Sequence, residues 1–144
     1  MISVDRFLKV GWDMPDSIFT LFSESTEGER VSFVSKVTSA AKEINITTAQ
    51  IDFQQFASLD EAFQSDDWQQ VIQSITVPAL RSLVIFKNVD AMAQFDCPHA
   101  YTLRTILTTA INENVAAIFT AAEAAIHTMF NDSRAPFYSS HFPL

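Results

Sequence analysis

Glycine, cysteine and basic residues are all scarce in this chain, and each scarcity removes a class of function. Its 144 residues include two glycines, Gly11 and Gly28, too far apart to form a G-x-S-x-G elbow, so Ser82, Ser139 and Ser140 lie in no nucleophile context. The single cysteine, Cys97, cannot form an internal disulfide and fits a reducing compartment. One cysteine also supplies no zinc pattern, and His99, His127 and His141 each lack a second ligand three or four residues on. Lys and Arg number 9 against 17 Asp and Glu, a net charge of −8. Binding to DNA or RNA rests largely on cations that neutralise phosphates, so nine scattered bases argue against nucleic acid and against an anionic membrane surface. No apolar run approaches the roughly 20 residues of a membrane helix. The opening stretch MISVDRFLKVGWDMPDS carries Asp5 and Asp13 and has no signal-peptide apolar core. A cytoplasmic protein without membrane or nucleic-acid partners is the expectation.

Apolar side chains are plentiful. Hydrophobic residues make up 48 %, with 13 Phe and 2 Trp, enough for a core and for one domain spanning residues 1–144. The acids concentrate early: 13 of the 17 lie at or before Asp90. Asp60, Glu61, Asp66 and Asp67 are spaced so that they surround a helix and do not converge, which reads as a solvated face. Cys97 precedes Pro98 at a helix start, where a thiol pKa can fall, but no cation accompanies it and a structural place is expected.

Strand and helix patterns alternate. SIFTLF (17–22) is short, apolar and bounded by polar residues, as a buried strand should be. A helix is predicted from about Glu29 to Glu43, with Phe33, Val34, Val37, Ala40, Ala41 and Ile44 on one face. TTAQIDF (47–53) reads as a second strand. Ser58 and Glu61 form a capping box, which predicts one helix from there to about Ile75, with Pro78 beyond it. SLVIF (82–86) is the clearest buried strand. After Pro98, Leu103, Ile106, Leu107, Ala110 and Ile111 repeat at helical spacing. VAAIFT (115–120) is a fourth strand, AEAAIHTMF (122–130) a helix, and FYSSHFPL (137–144) a last strand that Pro143 confines to a sheet edge. Such alternation implies an α/β fold with a parallel sheet between two helical layers.

The segment SIFTLFSESTEGERVSF (17–33) has the layout of a phosphate-binding loop: strand, polar turn with a glycine, then helix. With SLVIFKNVDAM, VAAIFTAAEAAIHTMF and the tail APFY, the chain from about Ser17 to Leu144 resembles the core of AAA+/STAND-type P-loop ATPases. The resemblance implies a five-stranded parallel sheet in the order 5-1-4-3-2, with a nucleotide site at the C-terminal ends of strands 1 and 3. It implies a sensor residue at Thr120, and it places Arg134 where many members carry an arginine finger.

The chain departs from that pattern where the chemistry lies. Laid on G-x-x-x-x-G-K-[ST], it has Ser23 and Gly28 for the glycines, Glu29 for the lysine and Arg30 for the hydroxyl residue. Glu24, Glu27 and Glu29 crowd a helix N-terminus that would otherwise attract a phosphate, and Thr26 and Glu29 have capping-box spacing. Lys87 and Asn88 replace the Asp-Glu pair that would hold Mg²⁺ and activate water; Asp90 follows two residues on. No counterpart of the family's helical lid is expected from the residues up to Leu144. The expectation is a non-catalytic pseudo-ATPase with no cofactor and no metal, acting on an unknown partner protein or on itself. Ser23, Gly28, Glu29, Arg30, Lys87, Asn88 and Thr120 would be its vestigial site positions. Phe7, Leu8, Val10, Trp12, Met14, Phe137, Tyr138 and Phe142 lie outside any clear core stripe, and Trp12, Arg134, Phe137 and Tyr138 are its expected interface residues. The alternative is a nucleotide-binding protein whose phosphate site is rebuilt from Arg30, Lys36 and Lys87.

Overall fold

The computed structural model describes residues 3–10, 18–21, 27–76, 81–92, 97–110, 115–126, 128 and 141–143. Its helices are α1 (Val4–Val10), α2 (Glu27–Glu43), α3 (Leu59–Ala62), α4 (Asp66–Thr76), α5 (Pro98–Ala110) and α6 (Glu123–Ile126). Its strands are β1 (Ile18–Leu21), β2 (Thr47–Asp52), β3 (Ser82–Lys87), β4 (Val115–Thr120) and β5 (His141–Pro143). The strands pair in parallel: β3 lies between β2 and β4, β1 follows β4, and the short β5 follows β1.

Both faces of the sheet are covered, and successive residues of a strand serve opposite cores. Leu83, Ile85, Ala116, Ile118 and Phe19 pack with Phe33, Val34, Val37 and Ala41 of α2 and with Phe7 and Leu8 of α1. Val84, Phe86, Val115, Ala117 and Phe119 face the other way, onto Trp68 and Val71 of α4 and Ala100, Leu103 and Leu107 of α5. Every residue of β4 is buried, and so is β3 as far as Phe86. This is why both strands read as continuous apolar runs.

Helix α1 escaped the sequence pattern. Phe7 and Leu8, expected as terminal groups outside the core, are buried, and Phe7 meets Phe19 edge-on at 4.9 Å. A seven-residue helix shows too few turns for its periodicity to stand out.

Helix α2 ends earlier on its apolar face than spacing suggests. Asn45 adopts the left-handed conformation (φ 63°), its N–H donates to Lys42 O, and the N–H of Ile46 donates to Ala41 O. This is a Schellman motif, and asparagine tolerates the required φ. The turn carries Ile46 into the core and leaves Ile44 57 % exposed, so the expected place of Ile44 on the buried face is corrected.

The single helix expected from Ser58 to Ile75 is two. Ser58 does cap the first: its Oγ accepts from Glu61 N, and Glu61 Oε2 reaches back to Ala57 N. Helix α3 then stops, because Ser65 starts a new helix by accepting from Trp68 N through its Oγ. The break turns Phe63 against Trp68, at 4.5 Å between ring centroids, and against His99, at 4.8 Å. Strand β2 likewise ends at Asp52, one residue short of the expected Phe53, because Asp52 caps the following 3-10 turn Phe53–Gln55 through Gln54 N.

Phe86→Ala should destabilise the fold by about 3–5 kcal/mol, whereas Ile44→Ser should change it by less than about 0.5 kcal/mol. Urea denaturation of both variants measures this, and a large loss for Ile44→Ser would contradict the turn described for residues 44–46.

Candidate functional site

In an open parallel sheet the strands' C-terminal ends form the edge where ligands bind, because the chain emerges there into loops and helix N-termini. Here that edge holds a connected set of polar groups. The backbone N–H of Asn88, just past β3, donates to Thr120 Oγ1 at the end of β4 (3.1 Å). The Asn88 side-chain amide donates to Asp52 Oδ1 at the end of β2 (2.9 Å). That oxygen also accepts from Gln54 N (3.0 Å). Three strand ends are thus tied together through Asn88. One further bond joins the same region: Asp90 Oδ2 accepts from Ala122 N (3.0 Å), linking the turn after β3 to the start of α6.

The local conformation explains the choice of residue. Asn88 sits at φ 56°, in the left-handed region where asparagine is better tolerated than most side chains. Thr120 is buried, so its hydroxyl is the group that satisfies Asn88's N–H where water has little access.

A hollow of about 280 Å³ opens beside these groups, lined by Arg30, Val31 and Val34 of α2, by Asp52, Gln54 and Gln55, and by Lys87, Asn88 and Thr120. Four of the expected site residues, Arg30, Lys87, Asn88 and Thr120, therefore share one cavity. Lys36 is exposed on α2 and is not among the described residues that line it, so of the rebuilt cationic set only Arg30 and Lys87 share the hollow. Gly28 and Glu29 are exposed in the first turn of α2, which begins at Glu27, two residues earlier than expected. Gly28 therefore lies inside the helix, at a φ open to any residue, and not in the turn before it. Ser23, Trp12, Arg134, Phe137 and Tyr138 lie outside the described residues, as do Glu24 and Thr26.

Asp52 was missed by sequence reading. Its apolar neighbours assigned it to a strand, and only parallel pairing with β3, which sets Asp52 beside Lys87, brings it to this edge. Elsewhere, Asp60 of the acidic helix face lies 2.7 Å from His99 Nε2 of α5, so one of those carboxylates is partnered and not merely solvated. Among the described residues no group of His, Cys, Asp or Glu is arranged to hold a metal ion, and no helix is long and apolar enough to cross a membrane.

No protein-family model matches the chain, and no curated protein matches it. Solved structures do. The chain is similar to a Walker-type ATPase of Pyrococcus abyssi, with a TM-score of 0.58 and 10 % identity over 97 % of this chain and 51 % of that one. It is similar to a chain of Drosophila ORC bound to AT-rich DNA and Cdc6 (TM-score 0.57, 11 % identity, 98 % of this chain and 51 % of that one). A third is the ORC2 protein of Aeropyrum pernix in ADPNP–ADP complexes (TM-score 0.53, 19 % identity, 97 % and 45 %). This chain spans about half the length of these proteins. The fold is therefore α/β and AAA+-like, of the kind found in P-loop ATPases.

Thr120→Val should leave the half-buried N–H of Asn88 without its protein partner and cost about 1 kcal/mol, while Thr120→Ser should retain most of the stability. Thermal unfolding of the two variants distinguishes a hydroxyl that closes this junction from a methyl that merely packs.

Proposed function

We propose that this chain is a P-loop-ATPase-like core that does not hydrolyse nucleotide and acts through protein–protein contact. One observation carries the reading. At the end of β3, where the resemblance puts the metal-holding and water-activating carboxylates, stand Lys87 and Asn88. Asn88 is committed on both its backbone and its side chain, to Thr120 and to Asp52. A lysine repels Mg²⁺, and an amide engaged in this way cannot act as a general base. Asp90 is the next carboxylate in the chain after the strand, and its Oδ2 accepts from Ala122 N, which engages it with the start of α6. The vestigial phosphate loop, the strand order β2-β3-β4-β1-β5 read as 5-1-4-3-2, and the contact role of Trp12, Arg134, Phe137 and Tyr138 belong to this proposal.

A second reading has an observation of its own. Arg30 and Lys87 line one hollow at the first turns of α2, and two cations beside a helix start suit phosphate oxygens. In that case the protein binds nucleotide through a rebuilt site. One similar protein is named as a Walker-type ATPase and another is named in ADPNP–ADP complexes, which favours this alternative as much as the fold does. ORC proteins solved with DNA are also among them. The absence of a nucleic-acid partner is proposed here on the charge of −8, and a cytoplasmic location on the lone cysteine.

The deciding experiment is phosphate release from ATP and GTP with Mg²⁺, paired with calorimetric titration of a non-hydrolysable ATP analogue. The expected outcome is release no faster than buffer and no binding heat. Turnover lost in Asp90→Ala would establish an enzyme. Binding without turnover, weakened at least about tenfold in Lys87→Ala, would establish the rebuilt site.

A further inference from the structure

The two outer strands of the sheet are protected very differently. Strand β5, on one side, has three residues, and Pro143 among them has no N–H to offer. Strand β2, on the other, has six residues, Thr47–Asp52, with no proline and no lysine or arginine. Natural sheets usually blunt such an edge with proline, positive charge or a very short strand, because its unpaired N–H and C=O groups invite another strand.

Which groups are unpaired follows from the ladder. Thr47 N donates to Arg81 O. In a parallel pair this turns the backbone groups of Thr47, Ala49 and Ile51 inward to β3, and those of Thr48, Gln50 and Asp52 outward. The flanks are open as well. A hollow of about 350 Å³ lies along β2 between Lys42 of α2 and Asp67 and Gln70 of α4. A second, also about 350 Å³, continues along Thr47, Thr48 and Ala49 towards Gln73 and Ser74. The side chains of Thr47 and Gln50 are exposed.

We propose that β2 is a self-association edge, at which two copies of this chain join their sheets by antiparallel β2–β2 pairing about a two-fold axis at Gln50. That register follows from the pattern of outward groups. Directly opposed residues of an antiparallel pair point to the same face, so an axis perpendicular to the sheet must pass through a residue position. Centred on Gln50, it opposes Gln50 to its own copy and Thr48 to Asp52, so every outward residue exchanges hydrogen bonds. Charge selects a second copy over an unrelated strand. Helix α2 runs back over the sheet and ends at Glu43, so Lys42 lies level with the Thr48 end of β2, and both line the same hollow. In the paired arrangement Lys42 of each copy comes level with Asp52 of the other. Asp52 retains acceptor capacity beyond its bonds to Asn88 and Gln54. The pairing does not depend on the fate of the phosphate site, so ATP turnover, if found, leaves it intact.

Sedimentation equilibrium from micromolar to several hundred micromolar protein tests the pairing. The expected result is a reversible dimer whose dissociation constant rises at least about tenfold in Gln50→Lys, which sets like charges opposite each other at the axis. Gln50→Pro removes only an outward N–H and should weaken the dimer equally. If Gln50→Pro lowers the melting temperature, Gln50→Lys alone decides, because it changes an exposed side chain. A wild-type protein that stays monomeric throughout overturns the proposal, and so does a dimer unaffected by Gln50→Lys.

Discussion

Strand β4 is buried along its whole length, and that condition propagates through the molecule. A backbone with no access to water must have its N–H and C=O groups paired, and unpaired groups there cost more than paired ones return. Strand β4 meets this by lying between β3 and β1. Its side chains alternate between the α1–α2 core and the α4–α5 core, so neither helical layer is dispensable to it. Small residues keep this compact: Ala116 and Ala117 sit back to back, while Phe119 projects to one side against Phe86 at 5.2 Å.

The same condition shapes the functional edge. Where β3 and β4 leave the core, their last polar groups have little water to turn to, and they turn to each other. Asn88 takes a left-handed backbone conformation and donates to Thr120 from its N–H and to Asp52 from its side-chain amide. In the reading proposed here, groups that would face a metal-bound nucleotide in an ATPase close a structural junction instead. The hollow beside it keeps both charge signs, with Arg30 and Lys87 against Asp52.

Among the described residues, no comparable pairing covers the outer side of β2. Interior strands are satisfied on both sides, whereas β2 is satisfied on one. Its alternating pattern, with Ala49 and Ile51 buried and Thr48, Gln50 and Asp52 on the other face, is that of a strand with one dry and one wetter face. Among the described residues, a hollow between α2 and α4 opens along it.

Composition and periodicity were enough for the central strands and the long helices, because burial on both faces demands continuous apolar runs and burial on one face demands a helical stripe. The boundaries of β4 were legible to the residue, and so was the capping box at Ser58 and Glu61. Tertiary structure decided the rest. The break at Ser65 and the turn at Asn45 depend on which of two locally acceptable conformations lets Phe63 and Ile46 reach the core. Helix α1 is held by the contacts of Phe7 with Phe19 and Phe33, which no seven-residue pattern announces. At this edge, the resemblance alone pointed to Lys87, Asn88 and Thr120, through their places at or just after the ends of two apolar strands. It could not find Asp52 as their partner, because a hydrogen bond across 36 residues is set by strand register, a property of the folded sheet that no local spacing encodes.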